Sequence, residues 1–114
     1  MIGRADTLAQ LKAWQDGERS PEDIWLWANE QKSQALVPED SLVRDVIDIL
    51  ADLPQDLIGL EEAEIMVYGL SNPPEEADLA QNLLWNHLDG LDMDARRRAL
   101  ADDPFYGPYC LPTL

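Results

Sequence analysis

The chain has 114 residues, of which 46% are apolar, and 23 acidic side chains against eight basic ones give a formal net charge of −15. That length suffices for one unaided core, and the apolar share excludes a disordered chain. The charge keeps a small protein soluble, repels DNA, RNA and anionic membranes, and steers basic partners inward, a nuclease or another nucleic-acid-binding protein for example.

The first predicted helix centres on 7–14, where apolar groups recur at helical spacing, with Asp6 or Thr7 as N-cap and Gly17 as stop. The second, 21–33, has Ser20 as cap, Pro21 at the first helical position and Asp23 as capping-box partner. Inside it, EDIWLWANE (22–30) sets five apolar residues in a row, 24–28. Ile24, Trp27 and Ala28 make an i, i+3, i+4 stripe toward a core, which turns Trp25 sideways and Leu26 nearly opposite.

The stretch SLVRDVIDILADL (41–53) is the most regular. At about 100° per residue, Leu42, Val43, Val46, Ile47, Ile49, Leu50 and Leu53 share one half of the wheel, and Asp45, Asp48 and Asp52 the other. Pro54 ends it. A fourth helix is expected over 60–70, closed by Ser71-Asn72-Pro73-Pro74, with a small hairpin through Ile58, Leu60 and 65–68 as the alternative. Asn72 or Pro74 opens a fifth, which reaches Leu88 before Gly90, and a sixth follows Asp92 over 93–101. Residues 102–114 hold three prolines, a glycine and three aromatics, so an extended segment laid on the domain is expected there. The expected fold is a single all-α domain, 1–114: a compact orthogonal bundle of about five to six short helices with this Pro/aromatic tail.

Sites of chemistry are scarce. Cys110 is the only cysteine, so neither an internal disulfide nor a cysteine zinc site is available. The opening MIGRADTLAQ lacks a basic start and long apolar run, and no stretch approaches the roughly 20 apolar residues of a membrane span, so a cytoplasmic protein is expected. His87, the only histidine, falls within an arc of Leu79, Ala80, Leu83 and Leu84, which reads as a half-buried ring bonded to a backbone carbonyl. Leu84 stands where a Glu-x-x-His motif needs its glutamate, and the acids of 89–94 lack the glycine and terminal glutamate of a calcium loop. Arg96-Arg97-Arg98 is flanked by Asp92, Asp94, Asp102 and Asp103, which favours pairing with acidic helix faces over nucleic-acid binding. The pattern implies a protein that is not an enzyme and holds no cofactor or metal.

Three helices show a second apolar edge: Trp25 and Leu26, Ile65 and Tyr68, and Trp85. These edges either meet one another or the Phe105–Tyr106–Tyr109 tail, or they form an aromatic patch ringed by acids, the composition of an interface centre. In the latter case Asp45, Asp48 and Asp52, with Glu61, Glu62 and Glu64, face a basic protein, and Trp25, Leu26, Tyr68 or Trp85 anchor it. The alternative is a homodimeric structural or regulatory domain whose own interface these edges supply.

Gly17, Ser20, Asp23, Trp27 and Ala28 fit the form Gly-x-x-Ser-x-x-acid-x-x-x-Trp-Ala. That opening resembles one found in small, uncharacterised, acidic bacterial helical proteins, some of which look like the immunity proteins of toxin systems. The resemblance covers about a tenth of the chain and implies a toxin-neutralising role, with no active-site residue to carry over.

Overall fold

A computed structural model describes residues 2–34 and 37–110. Its six α-helices are α1 (Arg4–Gln15), α2 (Pro21–Ser33), α3 (Ser41–Ala51), α4 (Leu60–Ser71), α5 (Ala77–Asp89) and α6 (Met93–Leu100), with short 3-10 turns at Pro74–Glu76 and Gly107–Tyr109. The fold is an all-α bundle. Among the described residues the only β pairing is an isolated bridge between Ile2 and Pro38. The alternative hairpin in 54–70 does not form, because α4 occupies that stretch from Leu60 onward.

Local chemistry sets the boundaries. Ser20 Oγ accepts the Asp23 amide at 3.1 Å and Asp23 Oδ2 accepts the Ser20 amide at 3.0 Å, the reciprocal capping box expected for α2. Gly17, at φ 79°, ends α1 in a Schellman turn: Glu18 N–H reaches Ala13 O at 2.9 Å and Gly17 N–H reaches Trp14 O at 3.1 Å. The start of α1 lies earlier than either expected cap, at Gly3. Thr7 is buried inside the helix, its hydroxyl donating back to Gly3 O at 2.9 Å.

Helix α3 forms the centre of the bundle. Its apolar half is buried throughout, and it packs against α1, α2, α4 and α5, while α1 lies on α4 and α4 on α5. After Ala51 the chain turns through residues 52–57, and Leu57 takes a left-handed φ of 53°. Such a conformation costs a non-glycine residue about 1–2 kcal/mol. Full burial of a leucine side chain contributes about 2–3 kcal/mol, and Leu57 is 1% exposed, so burial offsets the strain.

The segment following α6 wraps back as turns closed by the 3-10 turn, not as a straight extended strand. Asp103 Oδ1 accepts the amides of Phe105 and Tyr106, which tightens the first turn. The buried Tyr106 hydroxyl donates to Ile58 O. Residues 111–114 of the expected tail lie outside the described residues.

Arg4 joins three parts of the fold. Its guanidinium pairs with Asp40, the N-cap of α3, at 2.6 Å, and donates to the carbonyls of Gly69, Leu70 and Asn72 at the end of α4, at 3.0, 3.3 and 2.8 Å. A cation at a helix C-terminus satisfies both the orphan carbonyls and the dipole. Arg4→Met keeps the stem and is expected to cost about 2 kcal/mol, the scale of a charged hydrogen-bond set. Removing Lys32, whose pair with Asp48 at 3.2 Å is half exposed, is expected to cost under about 0.5 kcal/mol. Urea titrations of the two variants check the contrast.

Candidate functional site: an acid-rimmed cavity and a buried ion network

Helices α3 and α5 bring the acidic stripe to Trp85. Asp45 lies on α3 and its Oδ2 accepts the Trp85 indole N–H at 3.1 Å and the Gln81 amide at 2.7 Å, both from α5. The Asp45 carboxylate is therefore engaged within the domain, and its role is to fix the indole. Beside that indole lies a cavity of about 370 Å³. Ile49 and Ile58, both buried, form its floor, with Trp85, Leu88, Leu91 and Met93 as walls. Asp48, Asp52 and Asp56, all exposed, complete the lining as an acidic rim.

The rim is electrostatically loaded. Asp52 is the C-cap of α3, at the negative end of the helix dipole. Partial shielding of the carboxyl from water at the cavity mouth, followed by the neighbouring Asp52 charge, pushes Asp56 above its ordinary value. Among the described residues the ion pairs include Lys32 with Asp48 but none to Asp52 or Asp56.

The other candidate residues are placed elsewhere. Trp25 spends its indole N–H on Ala51 O at 2.9 Å, where Asn29 also donates at 3.1 Å, and its ring lies 5.7 Å from that of Phe105. The C-terminal segment thus covers this edge of α2, while Leu26 beside it is 55% exposed. Tyr68 is exposed in a second groove, between α4 and α5, lined by Glu64, Ile65, Leu83 and His87. Neither Trp25, Leu26 nor Tyr68 lines the acid-rimmed cavity.

Glu62 is not part of any outer acidic face. It is fully buried: Gly59 caps α4, and Glu62 lies in its first turn on the same side as Met66 and Gly69. Glu62 Oε1 accepts the Gly59 amide at 2.7 Å and Arg96 Nη1; Oε2 accepts Arg96 Nη2 at 3.1 Å and His87 Nε2 at 2.8 Å. Burial by itself raises this carboxyl, but the Arg96 fork, the Gly59 amide and His87 together hold it below the ordinary glutamate range. An ionised carboxylate only accepts, so His87 Nε2 carries the hydrogen in this contact. The expected backbone-carbonyl partner for His87 is thereby replaced by Glu62, which lies 25 residues earlier.

Arg96 also donates to Leu57 O at 3.0 Å and to Glu61 at 3.2 Å, fixing the strained turn to α6. Of the basic run, Arg96 pairs with another helix, whereas Arg97 pairs with Asp94 on its own. The ligand atoms of Glu61, Glu62 and His87 lie within 4.8 Å of one another, a spacing that suits a metal ion. Arg96 fills that position with a fixed positive charge on both glutamates, which opposes a cation there. A histidine held by a carboxylate can be half of an acid–base pair; here Arg96 neutralises that carboxylate, and the groove beside the ring is lined by Glu64, Ile65, Tyr68 and Leu83.

No protein-family model, no curated protein and no solved structure matches the chain. Among the described residues no helix is long and apolar enough to cross a membrane.

Proposed function

We propose that the protein is a non-enzymatic binding module for a basic partner protein, received at the acid-rimmed cavity between α3 and α5. An immunity-like role, neutralising a toxin, is its most concrete form, and that form rests on the resemblance of the α1–α2 opening. The observation that carries the binding reading is the Asp45–Trp85 bond, which joins an aromatic anchor to the acidic stripe across 40 residues of sequence. An apolar centre with a charged rim is the anatomy of a protein interface, and a charge of −15 speeds the approach of a cationic surface.

Neutralising the rim with D48N, D52N and D56N lowers the formal charge from −15 to −12, one unit for each substitution. The triple variant is expected to slow association with the native partner by about tenfold at low salt, by loss of electrostatic steering. Capture from the native cell followed by stopped-flow binding makes the comparison. Recovery of no specific partner, or only of copies of the same chain, overturns the proposal.

The homodimer reading draws on one further observation. Leu83 lines the α4–α5 groove with Tyr68, and Leu79, one turn before it on α5, is exposed as well. Two chains each carrying −15 repel one another, which opposes pairing through this face. Sedimentation at micromolar concentration separates the readings, since a stable monomer excludes the dimer.

A further inference from the structure

We propose that the cavity between α3 and α5 is a receptor for one arginine side chain of the partner, its stem against the apolar walls and its guanidinium between the indole of Trp85 and the carboxylates of Asp52 and Asp56. This inference rests on the binding-module reading and names the group that the module grips.

Several features converge on that chemistry. The walls supplied by Leu88, Leu91 and Met93 are apolar, so a compact hydrated ion gains nothing from them, whereas a long aliphatic stem does. The rim holds two carboxylates without a cation of their own among the described residues, one of them at the negative end of α3. A guanidinium suits both surfaces: it is planar, stacks on aromatic faces and forks to carboxylates, which an ammonium does less well. Trp85 is held ready for it, because Asp45 takes the indole N–H and thereby fixes the plane of the ring. The crowded Asp52–Asp56 pair is relieved by a positive charge, which supplies a gain on binding that a neutral ligand lacks. A second copy of this chain is the wrong occupant, since its surface carries the same negative excess.

The probe is a synthetic amphipathic helical peptide with one arginine centred on its apolar face and lysines on its polar face. Two matched peptides replace that arginine with citrulline, which keeps the shape without the charge, or with 2-amino-3-guanidinopropionic acid, which keeps the guanidinium charge without the long stem. Binding is measured by calorimetry at about 150 mM salt, where the Debye length of about 8 Å suppresses long-range attraction. Each replacement is expected to weaken binding about tenfold, the scale of a desolvated cation–π contact with its carboxylate partners. W85L, which keeps an apolar wall without a π face, and the D52N/D56N pair are expected to weaken the arginine peptide similarly while each still unfolds in one cooperative transition well above the assay temperature. If the arginine and guanidinopropionic peptides bind wild type equally, the arginine receptor is overturned and the general acidic interface stands. If no peptide binds although the native partner is captured, the receptor is again overturned. Failure of every peptide together with failure to capture a partner overturns both readings.

Discussion

Glu62→Ala is expected to destabilise the domain by about 3–5 kcal/mol, the cost of leaving a buried ion without its partner. On a domain of this size that corresponds to a melting point lower by about 10–20 °C. Three groups lose their acceptor at once: the Gly59 amide at the start of α4, the Arg96 fork on α6 and His87 on α5. No water replaces the lost acceptor without entering a fully buried site. Glu61→Ala provides the contrast. Its carboxylate touches the same Arg96 but is 74% exposed, so removal is expected to cost under about 1 kcal/mol.

Acid adds a second signature. The Glu62 carboxyl is held below its ordinary value of 4.5, so its contribution is present in full above that value and is lost as pH falls through the lower folded value. The stability gap between wild type and Glu62→Ala is therefore expected to narrow below about pH 4.5 and to be flat above it. Urea denaturation across pH checks both statements. A gap under 1 kcal/mol at neutral pH would show that the network is incidental to the fold.

Much of the architecture is written locally. Ser20, Pro21 and Asp23 specify the entry to α2 without any tertiary information. The pattern of 41–53 sorts seven apolar positions, all buried, from Asp48 and Asp52, both exposed, whereas Asp45 of the same stripe is drawn against α5 with its side chain only 13% exposed. Asp92 caps α6 as expected, its carboxylate accepting the Ala95 amide at 3.0 Å. The fifth helix differs. Leu79 and Leu83 were expected inside the arc and are exposed, while Ala77, Ala80 and Leu84 are buried. Size favours the leucines for the inner face, but α5 approaches α4 too closely for them, and small residues take that side. Only tertiary contact sets this rotation.

The buried network was missed for a related reason. Charge assigned Glu62 to an outer stripe with Glu61 and Glu64, yet its spacing to Met66, i and i+4, already placed it on the core face. That spacing, with Gly59 three residues before it, was the available signal. His87 and Arg96 carried none, since their meeting with Glu62 depends on how three helices assemble. The acidic stripe and Trp85 were each legible as candidates, but their convergence on one cavity was not, because its lining comes from α3, the segment 52–58, α5 and residues 91–93 at the entry to α6.

The close approach of α4 and α5 yields the second large effect, at Gly69. A glycine in mid-helix normally gains about 0.5–1 kcal/mol on replacement by alanine. Here an added Cβ meets the Cβ of Ala80 at 2.8 Å and Cδ2 of Leu42 at 3.2 Å. The Ala80 atom belongs to a rigid neighbouring helix and cannot swing aside, so overpacking of about 2–3 kcal/mol outweighs the propensity gain. Gly69→Ala is expected to lose about 1–2 kcal/mol net and Gly69→Val about 3 kcal/mol or more. Gly90→Ala is the control, since its added Cβ comes no nearer than 3.5 Å to any atom and its φ of −92° suits alanine. It is expected to be neutral or slightly stabilising. Ala80→Gly removes the atom in conflict, so the Gly69→Ala/Ala80→Gly pair is expected to show favourable coupling of about 1 kcal/mol in a double-mutant cycle. Additive losses would mean that the helices separate to admit the methyl group. The same separation would lengthen the His87–Glu62 contact of 2.8 Å, so loss of the acid signature of Glu62 in Gly69→Val reports whether α4–α5 spacing holds the network together.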